Sequence, residues 1–246
     1  MDDTRTHFGF DTVPISEKTG RVRSVFSGVA ARYDVMNDLM SAGVHRLWKA
    51  AFVDVVRPRD QEQILDLAGG TGDIARAMTQ RLGPEGRVIL CDINADMLAA
   101  GRQRADNQDK LIDWVCGDAE TLPFPDQHFD AVTISFGMRN VTRVAVALTE
   151  IHRVLKPGGR FYCLEFSRVA VDGLREAYDR YSFTVLPVLG QLVAGNADAY
   201  RYLAESIRRF PDQDAYAAML KDAGFAAVRV RNLSAGIAAI HGGWRL

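Results

Sequence analysis

The chain has 246 residues, of which 48% are hydrophobic and 25% charged, and its formal net charge is −1. This length and composition are typical of a globular protein with one large α/β domain or two small ones. Its basic residues are scattered, so we expect no nucleic-acid partner. It shows no signal-peptide pattern and no window of about 18 apolar residues. We therefore expect a cytoplasmic protein that touches a membrane only peripherally, at its inner face.

Three cysteines, Cys91, Cys116 and Cys163, each lie in an apolar run that predicts a strand. They show no Cys-x-x-Cys spacing and no nearby pair of histidines, which argues against a metal site. We expect buried, free thiols and no bound metal.

The first sixty residues predict an arm and a helical cap. Residues 1–20 are polar and contain two glycines and a proline, which predicts a loose arm. Amphipathic patterns then predict helices over 21–40 and 44–56, which end before Pro58.

Short apolar runs alternate with helical patterns from residue 63 onward. The predicted strands cover residues 63–68, 87–92, 111–117, 129–136 and 159–166. The predicted helices cover residues 72–82, 94–106 and 143–155. Such alternation predicts a parallel sheet with helices on both faces, a doubly wound α/β core over 61–168.

The rest of the chain predicts a lid and a hairpin. Residues 169–210 are helical in pattern and rich in aromatic residues, which suggests a lid over a substrate. Residues 211–246 predict a helix over 212–222 and strands over 225–232 and 236–241. Strands so close together form an antiparallel hairpin, which brings the sheet to seven strands and reverses the last one. We expect all 246 residues to form one domain.

The first strand of the core runs into a glycine turn, Gly69-Gly70-Thr71-Gly72, and the next strand ends at Asp92. Residues 70–75 fit the pattern G-x-G-x-x-G/A, whose glycines let the backbone approach a ligand. An acid after the second strand binds a ribose diol. The pattern predicts an adenosine cofactor, held by an NAD-dependent oxidoreductase, by a methyltransferase or by a binding subunit without activity. A turn needed only for packing is the remaining alternative.

Charge favours S-adenosylmethionine (SAM) over a dinucleotide. Asp66 and Asp73 flank the glycines, and carboxylates there repel a pyrophosphate but suit the ammonium and sulfonium of SAM. Asp118 follows the third strand, where it can accept a hydrogen bond from the adenine amine. Alternatives are a turn or helix cap for Asp118 and a helix cap for Asp92.

Long strings of residues resemble a known family, the ubiquinone/menaquinone biosynthesis C-methyltransferases, almost from end to end. They are Ala31 to Lys49, Leu65 to Asp73, Leu122 to Thr142, Leu155 to Ser167 and Tyr200 to Phe225. The resemblance implies a Rossmann-like, class I methyltransferase fold and SAM as the cofactor. It also implies a lipophilic substrate, 2-methoxy-6-polyprenyl-1,4-benzoquinol and/or demethylmenaquinol, methylated on a ring carbon.

Cofactor contacts carried over from the family fall on five residues, Thr71, Asp92, Asp118, Ala119 and Ser135. Together with Asp66, Gly70 and Gly72 of the turn region, they form the predicted cofactor site.

Three residues are predicted to serve catalysis. Arg139 is a candidate for stabilising a developing phenolate or holding a water that accepts its proton, and Asn140 for bonding the quinol oxygen. The alternative for Arg139 is a salt bridge that closes its loop. Tyr33, on the cap, is expected to orient the substrate, with helix packing as the alternative. Residues 183–193 of the lid are too short to span a bilayer but long enough to dock against one. Whether the chain forms a homodimer or joins a quinone-biosynthesis complex stays an open question.

Overall fold

The computed structural model describes residues 4–27, 38, 41, 43–104, 110–169, 173, 176, 180, 184 and 197–246. Seven strands form one sheet: β3 (Gln63–Leu67), β4 (Arg87–Asp92), β5 (Ile112–Cys116), β6 (Phe129–Ser135), β7 (Leu155–Phe166), β8 (Ala226–Leu233) and β9 (Ala238–Trp244). Their spatial order is β5-β4-β3-β6-β7-β9-β8, and β9 is antiparallel to both of its neighbours. The predicted seven-stranded sheet with a reversed last strand is confirmed.

Helices α2 (His45–Val56), α3 (Asp73–Thr79), α4 (Ala95–Gln103), α5 (Val144–Val154), α6 (Ala197–Arg209) and α7 (Gln213–Asp222) accompany the sheet. Alternate residues of each strand point to opposite faces. Ile64 of β3 belongs to a buried cluster with Trp48 and Tyr200, whereas Leu65 belongs to one with Leu148 and Tyr216. Both faces are therefore covered, as the doubly wound prediction requires.

The N-terminal segment is ordered, and the predicted loose arm is wrong. Strands β1 (Arg5–Phe8) and β2 (Asp11–Pro14) form an antiparallel hairpin, and α1 (Ile15–Ser27) follows at once. Tertiary contacts hold these short polar strands: the Phe8 ring stacks on Tyr202 at 4.3 Å, and the Phe10 N–H donates to Glu205 over 3.1 Å. Residues 28–37, part of the predicted helix 21–40, lie outside the described residues.

Two further observations concern predictions about burial and membranes. Cys91 and Cys163 are buried, but Cys116 is exposed at the end of β5, so its predicted burial is wrong. β5 is an edge strand of the sheet, which explains the exposure. Within the described ranges, no helix is both long enough and apolar enough to cross a bilayer.

A buried ion pair fastens the amino end of the sheet to the cap. Arg160 of β7 contacts both carboxylate oxygens of Glu62 at 2.7 Å and donates to the carbonyl of Val56 at the end of α2. The two side chains are 8% and 10% exposed. The bidentate geometry and the carbonyl partner offset the cost of desolvation.

Removing Glu62 should therefore destabilise the fold strongly. Glu62→Ala leaves the Arg160 guanidinium buried without its anion, and we expect the free energy of unfolding to fall by about 3–5 kcal/mol. Urea titration followed by circular dichroism measures it. Arg59→Ala is the matched control, because the Arg59 side chain is 75% exposed and lies 3.9 Å from the same carboxylate. Equal losses in both variants would contradict this role of the pair.

Candidate active site

A cleft opens at the carboxyl ends of β3, β4 and β6, where the strand order changes direction. Open α/β sheets bind their ligands at such a point. The structure brings most predicted site residues into the cleft wall: Asp66, Gly70, Thr71, Asp92, Asp118, Ala119, Ser135 and Asn140. Gly72 and Arg139 adjoin the wall without lining the cleft. Tyr33 lies outside the described residues.

The glycine turn needs its glycines for conformation and for space. Gly70 and Gly72 have φ angles of +56° and +91°, a left-handed region that side chains rarely adopt. A Cβ on Gly69 would lie 2.5 Å from Leu90. The turn therefore offers a bare backbone to whatever occupies the cleft.

Two residues at the cleft hold strained backbone without being glycine. Ala68, just after β3, and Phe136, just after β6, have φ angles of +48° and +55°. Both line the cleft. Left-handed backbone costs roughly 1–2 kcal/mol for such residues, and strain of this kind concentrates at functional sites.

Asp92 ties the glycine turn to β4. Its Oδ2 accepts the Gly70 N–H over 2.9 Å, and its Oδ1 accepts the Asn94 N–H over 2.8 Å. Burial raises the pKa of Asp92, although these two hydrogen bonds oppose the rise. Asn94, not Asp92, caps α4, since its side chain accepts the N–H groups of Asp96 and Met97. The cap alternative for Asp92 is therefore wrong.

Asp66 is the most deeply buried acid of the cleft, with 1% exposure. The Thr133 hydroxyl donates to its Oδ1 over 2.7 Å, while its Oδ2 has no hydrogen-bond partner among the described residues. Burial raises the pKa of Asp66 to about 7, against the opposing hydrogen bond from Thr133. A cation placed in the cleft would stabilise the charged form.

The negative charge of Asp73 is neutralised, which corrects its predicted part in attracting a cation. Lys49 lies 2.8 Å from this carboxylate, Arg104 lies 3.2 Å away and Arg76 lies 3.4 Å away. Burial favours a raised pKa, but these three cations hold the pKa of Asp73 below its usual value. Arg104 also donates to the Thr71 hydroxyl over 2.9 Å. Asp66, Asp92 and Asp118 are therefore the aspartates of the cleft lining that no such group of cations neutralises.

Asp118 follows β5, Ser135 ends β6, and both line the cleft. Oδ1 of Asp118 accepts the Glu120 N–H over 2.9 Å, so the predicted turn role is present. None of the described residues donates a hydrogen bond to its second oxygen, Oδ2, which stays available to a ligand. The Ser135 hydroxyl is buried and has no hydrogen-bond partner in the described part of the chain. A buried hydroxyl without a partner is costly unless a ligand supplies one.

Arg139 lies in a buried ion pair behind the cleft wall. Its guanidinium contacts Glu165 of β7 at 2.7 Å and donates to the Phe136 carbonyl, and both charged side chains are 1% exposed. The salt bridge that was the alternative for Arg139 is thus present. The Nε and Nη2 groups of Arg139 have no hydrogen-bond partner in the described ranges. A catalytic role for Arg139 stays a prediction.

Two lysines of the site escaped the sequence reasoning. Lys49 lines the cleft, and Lys18 of α1 donates to the carbonyl of Val141 over 3.1 Å. Burial lowers the pKa of Lys18 to about 8, against the opposing charge of Glu120. The pattern around Lys49 gave a signal, because it ends the first string that resembles the family. Lys18 gave none, because it lies in the segment predicted as a loose arm.

A model of the ubiE/COQ5 methyltransferase family matches residues 15–245. The chain belongs to this family. A curated relative, the ubiquinone/menaquinone biosynthesis C-methyltransferase UbiE of Paracoccus denitrificans, is 57% identical over 243 residues, which cover 98% of this chain and 97% of the relative. The methyltransferase activity predicted from the sequence is confirmed by this membership.

Solved structures show the same fold. A SAM-dependent methyltransferase of Thermotoga maritima, described as a possible histamine N-methyltransferase, superposes with a TM-score of 0.66 at 18% identity and covers 91% of this chain and 99% of its own. A phosphoethanolamine N-methyltransferase of Haemonchus contortus in complex with SAM gives a TM-score of 0.60 at 16% identity, covering 80% and 52%. The predicted Rossmann-like fold and the predicted cofactor SAM are confirmed.

Asp66 should make the free protein less stable at alkaline pH. Its folded pKa lies above its unfolded value of about 3.9, so its contribution to stability is lost as the pH rises from 4 through 7. Asp66→Asn removes this loss. As the pH rises from 5 to 8, we expect the free energy of unfolding of the variant to increase by about 2–3 kcal/mol relative to that of the parent.

Urea midpoints at the two pH values measure the difference. Asp113→Asn serves as the control, since Asp113 is exposed on β5. A gain of equal size in the control would show that Asp66 is not its source.

Proposed function

We propose that this chain transfers a methyl group from SAM to a ring carbon of 2-methoxy-6-polyprenyl-1,4-benzoquinol, of demethylmenaquinol, or of both. The observation that carries the proposal is the similarity to UbiE over 98% of the chain. The cleft supports it, because acids beside the glycine turn and the Asn140 amide share one cavity.

The cofactor residues divide the ligand among them. We assign the ribose hydroxyls to Asp92, the adenine to Asp118 and Ala119, and the ammonium to the unpartnered oxygen of Asp66. Lys49, which lines the cleft, suits the carboxylate. The buried Ser135 hydroxyl and the Gly70 backbone complete the fit. When bound, SAM supplies an electrophilic methyl group on a sulfonium.

On the substrate side, the residues must stabilise an oxygen that becomes anionic. A free phenol has a pKa of about 10, so its proton has to leave as the ring carbon attacks. Asn140 lines the cleft, and the Nε and Nη2 nitrogens of Arg139 lack a described partner. We assign both residues to this oxygen, and Tyr33 to the orientation of the ring. Holding the reactants in line supplies much of the remaining rate, about 7–11 kcal/mol in well-oriented systems.

The isoprenoid tail of such a quinol resides in a membrane. We therefore propose a peripheral contact with its inner face through residues 169–210, of which 183–193 lie almost entirely outside the described residues. The proposal does not depend on a homodimer or on a quinone-biosynthesis complex.

A direct assay tests the reaction. We expect purified protein to move labelled methyl from SAM onto chemically reduced demethylmenaquinone or the methoxybenzoquinone, and the product to appear in the organic extract. Calorimetry should detect S-adenosylhomocysteine binding, which Asp66→Asn weakens at least about tenfold by removing a charge-assisted contact. Asp113→Asn should bind normally. NADH binding without S-adenosylhomocysteine binding would instead support the oxidoreductase.

A paired substitution separates the charge of Arg139 from its role in folding. Arg139→Gln alone leaves Glu165 buried and unpaired, so it should destabilise the protein. Combining Arg139→Gln with Glu165→Gln restores a neutral, hydrogen-bonded pair. We expect the double variant to fold and to bind S-adenosylhomocysteine normally, with kcat lowered about 10- to 100-fold.

Steady-state kinetics at saturating SAM measure this effect. Normal turnover in a folded double variant would mean that Arg139 only closes its loop.

A further inference from the structure

The Asn140 side chain is oriented by a residue that does not line the cleft. Tyr202 of α6 donates its hydroxyl hydrogen to Oδ1 of Asn140 over 3.0 Å. The amide oxygen is therefore already engaged by a residue outside the cleft lining. The amide nitrogen Nδ2 has no hydrogen-bond partner in the described part of the chain, and it is not fully buried. Since Asn140 lines the cleft and its Oδ1 is engaged, Nδ2 is the amide atom left for a ligand there.

Tyr202 is itself held firmly. Its ring is 5% exposed and stacks on Phe8 of the N-terminal hairpin, with centroids 4.3 Å apart and planes 21° apart. Burial raises the pKa of Tyr202 well above 10, with Arg139 opposing the rise and Glu165 adding to it. The hydroxyl therefore stays protonated across the range in which an enzyme works. It can therefore donate a hydrogen bond, and here it donates to the amide oxygen of Asn140.

The orientation decides the electrostatic sign of the cleft wall. An asparagine amide is a donor at one end and an acceptor at the other. With Nδ2 inward, Asn140 donates to an oxygen that becomes negative, and such a bond strengthens as the charge develops. With Oδ1 inward, it would repel that oxygen.

We propose that Tyr202 is a positioning residue for methyl transfer: by engaging Oδ1 of Asn140 it keeps the Nδ2 donor aimed at the substrate oxygen. This proposal rests on the proposed function for its substrate, a quinol. The hydrogen bond between Tyr202 and Asn140 is independent of the proposed function, because it exists in the protein without a substrate.

Tyr202→Phe tests the proposal with little change in packing, because phenylalanine keeps the ring that stacks on Phe8. We expect kcat to fall roughly tenfold, the value of one hydrogen bond of about 1.4 kcal/mol. KM for the reduced quinone and the Kd for S-adenosylhomocysteine should change less than about twofold, because the interaction strengthens mainly in the transition state.

A double-mutant cycle makes the test specific. In an Asn140→Ala background, Tyr202→Phe should have no further effect on kcat, since its partner is gone. Tyr216→Phe is the matched control. It removes the hydroxyl of a buried tyrosine from the cluster that contains Leu65 and Leu148, and it should leave kcat unchanged. If the losses of kcat in Tyr202→Phe and Asn140→Ala add up in the double variant, the proposal is overturned.

A second readout is independent of turnover. In protein labelled with ¹⁵N, the side-chain amide resonances of Asn140 are identified by their loss in Asn140→Asp. They should shift in Tyr202→Phe and stay in place in Tyr216→Phe. If they do not shift, the positioning role is wrong whatever the substrate. If they shift and no quinol is methylated by the unmodified protein, the proposed function fails while the hydrogen bond stands.

Discussion

The site depends on one buried carboxylate that accepts two backbone N–H groups. Asp92, at the end of β4, bonds Gly70 on one side and Asn94 on the other. Through these bonds it fixes the glycine turn of the neighbouring strand and the entry to α4, which Asn94 caps. A turn built from glycines has little conformational preference of its own. The carboxylate supplies the order that the glycines lack, and it does so in the wall of the cleft.

Asp66 shows the opposite use of an acid. It lies within the influence of the charge on Asp92, is buried and has one oxygen without a described partner, so its charged form is unfavourable in the free protein. A protein that only had to fold would place a neutral residue there, because an unpaired buried charge is costly. That cost is understandable if a cationic ligand relieves it. With the proposed contact between Asp66 and the ammonium of SAM, the stability of the free fold and the affinity for the cofactor would be opposed at this position.

The core was predictable because its signals are local. Short apolar runs alternate with helical patterns, and a parallel sheet follows from that alternation. Strand ends such as Asp92, Asp118 and Ser135 are then brought together by topology alone. The resemblance to a family added the methyltransferase activity and the substrate class, which no pattern of spacing contains.

The rest was not predictable because it depends on partners that are distant in sequence. Asp73 was expected to attract a cation, yet Lys49 and Arg104 neutralise it, and neither adjoins it in the chain. The expected loose arm is a hairpin because Phe8 and Phe10 meet α6. The prediction of SAM from charge is therefore confirmed, but one of the two acids on which it depended, Asp73, does not act as predicted.

The ordered N-terminus matters because it supports the part of the cleft wall that contains Asn140 and Val141. The 3-10 helix Met138–Asn140 is too short to hold its own conformation. It is fixed from three directions: Arg139 pairs with Glu165, Tyr202 engages Asn140, and Lys18 bonds the carbonyl of Val141. These polar contacts are wholly or largely shielded from water, where hydrogen bonds are strong and their loss is costly. The wall therefore owes its rigidity to residues that are distant in sequence, and one of them, Tyr202, is itself packed against Phe8 of the N-terminal hairpin.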